Sequence, residues 1–264
     1  MAAMTDSLDP KTLLAAYDSQ LRTREDGNLP EGATVDWDGP VQRTFGVYDG
    51  GFLEYRDLAG LDGAELDAFI ARQRDFFAAR GEKFEWKTRG HDLPADLPER
   101  LIAAGFEAED QETVLVGRAA DFASPPSFPV RETTDPEDFE KIAANKAIVW
   151  DRDMSWIAPM LRAMVGEQAK IYVAEADDKI VSSAWIRFVP GTEFCGLWGG
   201  DTLKEYRGRG IYKSLVAARA IDAVGRGYKY LQVDASDDSR PILERLGFVA
   251  ITTTTPYIWT PSAT

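Results

Sequence analysis

The sequence predicts a mixed α/β protein of the α+β kind, built as two halves that each have a mixed central sheet flanked by helices. Three observations carry that prediction. Strand and helix signals alternate along 264 residues, a length that suits two modest domains at about 150 residues each. Both halves contain antiparallel hairpins, marked by the turn signals Asp49-Gly50-Gly51 and Asp177-Asp178. A stretch from Gly117 to Pro129, with three prolines in its last five positions, reads as an extended linker and divides the chain near residue 120. The expected division is a first domain over 1–120, a linker over 121–129 and a second domain over 130–264.

In the first half, Leu13, Leu14, Tyr17 and Leu21 share one face of a helix over about 10–22. Strands follow near 41–48 and 51–57. A helix over 63–80 places Leu66, Phe69, Ile70, Phe76 and Phe77 inward, and a strand at 83–88, a helix at 96–104 and a strand at 112–116 complete the half. In the second half, Thr134-Asp135-Pro136-Glu137 starts a helix that runs to Val149, with a cap, a proline and acids in its first turn. A helix at 157–167 follows, then strands at 170–175, 179–188 and 193–202. The remainder reads as a helix at 209–225, a strand at 230–235, a helix at 238–246 and two terminal strands around 248–259. Leu97-Pro98-Glu99-Arg100-Leu101-Ile102-Ala103-Ala104-Gly105-Phe106 echoes Ile242-Leu243-Glu244-Arg245-Leu246-Gly247-Phe248; helix–Gly–Phe–strand is a common way to leave a helix, but the matching element order favours two related domains.

Composition narrows the chemistry. Thirty basic residues against 44 acidic ones give a net charge of −14, which argues against non-specific nucleic-acid binding. No apolar run approaches the ~18 residues of a membrane span, and the first ten residues lack the pattern of an export signal, so the expected setting is the cytoplasm. With one cysteine, Cys195, and one histidine, His91, neither a disulfide framework nor a Cys/His zinc site is expected. Cys195 reads as a small strand residue rather than a nucleophile, and His91, in Gly90-His91-Asp92-Leu93-Pro94, as part of a turn.

The informative segment is Glu205-Tyr206-Arg207-Gly208-Arg209-Gly210-Ile211-Tyr212, between a strand and an amphipathic helix. Two glycines leave the backbone open, and the helix behind them presents unpaired N–H groups to an anion. Lys204, Arg207, Arg209, Lys213 and Arg219 face one acid, Glu205, in this stretch of an acidic chain. A phosphate group accounts for that local excess; a ligand-free glycine turn is the plainer alternative. Neither a P-loop nor a dinucleotide fingerprint has its glycines here. Upstream, Gly199-Gly200 reads as a bulge or a close approach by another backbone, or else as the end of the strand.

Glu205–Gly210 resembles the acyl-CoA loop of the GCN5-related N-acetyltransferases, Gln/Arg-x-x-Gly-x-Gly/Ala, with Glu205 in place of the first residue. Leu246-Gly247-Phe248 and Ser236 match later positions of the same pattern, and the resemblance covers about residues 128–260. The paired halves are similar to the tandem members of that family, with a degenerate first half: Leu58-Ala59-Gly60-Leu61-Asp62-Gly63 lacks the cradle's spacing and cations.

The resemblance implies an N-acetyltransferase with acetyl-CoA as co-substrate and no metal, acting by direct transfer on a primary amine of a small molecule or peptide. A homodimer is left open. It implies that Arg207, Gly208, Arg209, Gly210, Ile211 and Tyr212 hold the pyrophosphate, that Gly200, Thr202 and Leu203 pair with the pantetheine arm, and that Ser236 lies beside it. A base is needed, since an alkylamine is protonated at neutral pH. Glu193, at the start of the strand before the loop, and Asp234 are the candidates, with a solvated surface acid as the alternative for Glu193. Trp150, Asp151 and Asp153 occupy the place where the family builds its acceptor site; the two acids equally suit helix capping. Trp86 and Lys87 read first as core strand residues. The tyrosine that protonates the departing thiolate in the family is Leu243 here, so Tyr212 or a water takes that role. A CoA-binding module without catalysis, or acyl transfer to a thiol or hydroxyl, are the competing readings.

Overall fold

A computed structural model describes residues 8–23, 32–46 and 50–261, so Asp49 of the first turn signal lies outside the described residues. The chain forms two compact units. The first comprises residues 1–115, 234–244 and 250–264; the second comprises 116–233 and 245–249. The last strand therefore belongs with the first unit and not with the segment that precedes it.

The first unit opens with α1 (Pro10–Leu21), capped by Asp9, whose carboxylate accepts the Thr12 N–H at 3.0 Å. Strands β1 (Thr34–Asp38), β2 (Val41–Phe45) and β3 (Gly51–Tyr55) follow, then α2 (Gly63–Arg80), β4 (Phe84–Arg89), α3 (Leu97–Ala103), the short β5 (Glu107–Ala108) and β6 (Glu112–Arg118), which runs on into the second unit. Strand β1 was not anticipated. Its acids, Asp36 and Asp38, disguise it, and Arg43 and Arg72 pair with them at the sheet edge, where charge is tolerated.

In the second unit the proline-rich stretch is not simply extended. It contains a helical turn, α4 (Ala119–Phe122), whose Phe122 stacks on Phe248 at 4.4 Å, and the Phe128 N–H is held by Ser214 Oγ at 3.0 Å. The edge strand β7 (Val130–Thr133), also unanticipated, leads into α5 (Pro136–Trp150) and α6 (Ile157–Met164). Strands β8 (Ala169–Ala176) and β9 (Lys179–Phe188) form the expected hairpin, with Asp177 and Asp178 both at positive φ as a two-residue turn requires. Then come β10 (Phe194–Thr202), a 3₁₀ turn over Lys204–Tyr206, α7 (Ile211–Gly225), β11 (Tyr230–Ala235) and α8 (Arg240–Leu246). Where two terminal strands were expected there is one, β12 (Val249–Trp259), running uninterrupted through Pro256.

Strand order in the first unit is β1-β2-β3-β4-β12, with β3–β4 parallel and β4–β12 antiparallel. The second unit has β11-β10-β9-β8-β7, parallel only between β10 and β11. Both sheets are mixed. The first unit's core gathers around Trp86, Phe77, Phe84 and Phe106.

Alternate residues of the second sheet bury opposite faces. Ile171 and Val173 of β8 pack with Phe139, Ile142 and Leu161 of α5 and α6, whereas Ala174, Val181 and Leu203 pack with Tyr206 and Ile211 on the α7 side. Tyr172, between Ile171 and Val173, donates to Asp222 of α7. Helices α5 and α6 thus cover one face and α7 the other.

Candidate active site

The glycine loop is open and built from below. Tyr206 is buried, its hydroxyl donates to Asp177 at 2.6 Å, and the cations of Lys179 and Arg209 lie 5.0 and 4.8 Å from its ring centre. Arg207 Nε donates to the Thr202 carbonyl at 3.1 Å. Arg207 through Gly210 are all exposed. Gly208 and Gly210 have φ of 76° and 78°, the left-handed region that side chains resist. A methyl group added at Gly208 would meet nothing within 4 Å, so the glycine serves backbone conformation rather than packing. Gly210 caps α7 without a side-chain hydrogen bond, and the first turn has no acid. The N–H groups and the positive end of the helix dipole face outward between Arg209 and Lys213. A diphosphate fits this cradle in charge and in space.

The strand leading to the loop is bulged. Trp198 is opposite Trp185 and Asp201 opposite Ser183, so β10 carries one residue in excess of β9 across Gly199 and Gly200. Gly199 has φ of 58°. A Cβ there would stand 2.0 Å from the Trp185 ring, and one at Gly200 would stand 2.7 Å from the Tyr212 ring. The close approach to this pair is made by two aromatic side chains and not by another backbone, as the sequence had suggested. Parallel pairing between β10 and β11 ends at Gly196 and Gln232, so the strands part company just before the bulge. A splayed strand end, a bulge and an open helix start lie consecutively along one stretch of chain.

Sequence reasoning missed the polar network beneath the bulge. Lys146 of α5 pairs with Asp201 at 2.6 Å and donates to the Gly199 carbonyl at 2.6 Å; Ser183 Oγ donates to the other Asp201 oxygen at 3.2 Å. The signal available was a lysine on the buried face of α5, three positions past the buried Ala143 and 55 residues from its partner, which no local pattern connects. Arg219 of α7 is buried too. It donates to the Leu215 and Trp185 carbonyls at 3.0 and 3.2 Å, while its Nη2 has no partner among the described residues. Burial pushes the Arg219 guanidinium below its ordinary value and the Tyr212 phenol above its own, with the Arg219 charge opposing the latter.

The other predicted residues are distributed unevenly. Tyr212, Gly200, Thr202, Leu203, Arg207, Gly208, Arg209, Gly210 and Ile211 come together around the bulge and loop. Glu193 does not. It precedes β10 and pairs with Lys229, six residues from Gly199, or about 20 Å along an extended strand. Asp234 and Ser236 fall in the first unit, where Lys87 Nζ lies 2.8 Å from Asp234 and 3.3 Å from Glu112. Ser236 caps the start of α8, its carbonyl accepting the Ser239 and Arg240 N–H groups.

At the end of α5, Trp150 is half-exposed and Asp151 is the C-cap, with φ of 50°. Asp153 accepts the Ser155 N–H at 2.9 Å, and that bond holds its carboxyl below the ordinary range. Asp151 thus ends α5, whereas Asp153 closes a turn on Ser155 ahead of α6. Trp86 is fully buried, as is Leu243. His91 is tied to Asp18 at 3.0 Å and Thr252 at 2.9 Å. Cys195 is buried, and burial pushes its thiol far above the ordinary range, so no thiolate forms at neutral pH. Among the described residues no cluster of His, Cys, Asp and Glu could hold a metal ion, and no helix is long and apolar enough to cross a membrane.

The bulge, the glycine loop and the open helix start all lie within one segment that the comparisons match to a known family. Residues 131–248, just under half of the chain, match the acetyltransferase (GNAT) family. A domain of that family implies an acyl-CoA donor and an acceptor. No curated protein matches the chain.

Solved structures extend the fold likeness to the whole length. A GCN5-related N-acetyltransferase from Kribbella flavida is 17% identical with a TM-score of 0.67, covering 98% of this chain and 97% of its own. A tandem GNAT protein from the clavulanic acid biosynthesis pathway is 13% identical with a TM-score of 0.58, covering 97% of this chain and 95% of its own. A GCN5-related N-acetyltransferase from Sphaerobacter thermophilus is 11% identical with a TM-score of 0.55, covering 85% and 82%.

Proposed function

We propose that the second unit transfers the acetyl group of acetyl-CoA to a primary amine of a small molecule or peptide, directly and without a covalent enzyme intermediate. One observation carries this: the first turn of α7 is left without acids or a side-chain cap, behind two glycines at positive φ and between two exposed cations. The thioester would enter where β10 parts from β11. The amine nitrogen bonds to the carbonyl carbon and gives its proton to solvent water, the C–S bond breaks with its electron pair going to sulfur, and the thiolate takes a proton from the Tyr212 hydroxyl, which recovers one from solvent. Burial keeps that phenol protonated, and its ring already lies against Gly200. Cys195 takes no part, which is why direct transfer is favoured over a thioester relay. The acidic surface suits a cationic acceptor.

A second reading is a CoA-binding module without catalysis, and the buried Leu243 favours it, standing where the family's acid tyrosine would be. Titration calorimetry with acetyl-CoA tests the cradle. A thiol-release assay across amine, aminoglycoside and peptide libraries then separates the two readings. Release that depends on an amine and falls about 10- to 100-fold in Tyr212→Phe supports the enzyme; tight binding with no release for any amine supports the module.

A further inference from the structure

Under the bulge lies a buried ion pair that transfer as described does not use. The side chains of Lys146 and Asp201 are 2% and 4% exposed and 2.6 Å apart. Such pairs are a poor source of stability, because taking two charges out of water offsets their attraction. The question is what this one holds in place.

Its reach is informative. Lys146 Nζ also donates to the Gly199 carbonyl at 2.6 Å and sits 5.0 Å over the Trp185 ring. Gly199-Gly200 has no side chains to fix its peptide plane, and neither can gain one: a Cβ at 199 would strike Trp185 and one at 200 would strike Tyr212. Without an anchor this peptide is free to turn. In a planar trans peptide the carbonyl of one residue and the N–H of the next point to opposite sides. Lys146 comes from α5, on one face of the sheet, and draws the Gly199 carbonyl that way. The Gly200 N–H is thereby turned to the other face, where Tyr212 of α7 lies.

We infer that Lys146 is a positioning residue: by anchoring the Gly199 carbonyl it aims the Gly200 N–H at the carbonyl oxygen of a bound acyl thioester. This rests on the acetyl-CoA reading above. Asp201 holds the Lys146 ammonium in position, and Ser183 holds Asp201. A donor preset in this way strengthens as negative charge develops on the oxygen.

The experiment compares acetyl-CoA with CoA, which differ by the group the Gly200 N–H would contact. Wild type is expected to bind acetyl-CoA about threefold to tenfold tighter than CoA, the size of one net hydrogen bond. In Lys146→Met that preference disappears while CoA affinity stays within about twofold, and the Gly200 amide of the ligand-free protein exchanges with solvent faster. Should Lys146→Met fail to fold because Asp201 is left unpaired, the double variant Lys146→Met/Asp201→Leu, with an apolar pair in the same space, receives the same comparison. A preference retained in the variant, an equal loss for both ligands, or no preference in wild type overturns the role of Lys146 while leaving CoA binding intact. Wild type that binds neither ligand overturns the functional reading itself.

Discussion

The first turns of α7 and α2 follow corresponding strands in the two units but are furnished with opposite charge. Helix α7 begins with Gly210 at the cap and Lys213 at its third position, with Arg209 just before. Helix α2 begins with Asp62 at the cap and Glu65 at its third position, and Arg100 reaches over to the Gly63 carbonyl at 3.1 Å. Both helices end their dipoles in the same partial positive charge. In α2 the acids of its own first turn answer that charge; the first turn of α7 has no acid to do so. The two helix starts are therefore told apart by what fills them, even where the strand–turn–helix order is the same.

The strongest test attacks the backbone. Gly208→Val with Gly210→Val places two branched side chains at φ near 77°, each costing about 1–2 kcal/mol in that region. Acetyl-CoA affinity measured by calorimetry should fall about 30- to 1,000-fold. Gly60→Val in the first unit meets the same strain, φ of 79°, and should cost about 1–2 kcal/mol of stability with acetyl-CoA affinity unchanged. An equal loss of affinity in both variants would erase the contrast between the halves.

Helix α5 sharpens the contrast from inside the second unit, since its start is closed by Asp135, Glu137 and Asp138. Burial pushes the Asp138 carboxyl up, but hydrogen bonds from Arg131 at 2.7 Å and Thr133 at 2.6 Å outweigh it, so its value in the folded protein lies below the ordinary one. A carboxylate lowered by folding adds stability above the unfolded value of about 3.9 and loses it as pH falls through the folded value. Asp138→Asn should cost about 1–3 kcal/mol at pH 7, and the gap in Tm from wild type should narrow below about pH 4. A gap independent of pH would mean that charge has no part in closing this helix.

Much of this contrast was legible in the sequence because its causes are local. Two glycines separated by one residue fix a loop conformation, and Lys204, Arg207, Arg209 and Lys213 near one acid set its charge, whereas Arg219, counted with them in the sequence, is buried in α7. The paired glycines at 199 and 200 announced a bulge for the same reason. What failed were inferences about distance. Glu193 is on the right strand but at the wrong end, because a strand carries a residue about 3.3 Å further with each step. Strands β1 and β7 escaped notice because Asp36, Asp38 and Glu132 sit on edge strands with cationic partners, which blurs alternation. Lys146 and Asp201 meet only through tertiary packing, and nothing in either neighbourhood names the other.

Two charge substitutions complete the comparison. Lys213→Glu gives α7 the acid that α2 carries at the same helical position. A reversal of charge within the first turn changes its interaction with an anion by about 0.6–2 kcal/mol, so acetyl-CoA should bind about threefold to 30-fold more weakly. That loss should shrink as salt rises toward 1 M, where the Debye length is about 3 Å.

The converse change is the smallest. Glu65→Lys removes the exposed acid from α2 and leaves Asp62 in place. It should cost about 0.3–1 kcal/mol, a Tm shift of about 1–4 °C in a chain of this size, without creating a second acetyl-CoA site in a calorimetric titration. The reason is steric as much as electrostatic: Leu58-Ala59-Gly60-Leu61 has neither the paired glycines nor the flanking cations of the α7 loop, and Leu58 is buried in the core. A stoichiometry that rises from one to two on this single change would show that charge alone distinguishes the two helix starts, and that the glycine spacing of the α7 loop is dispensable.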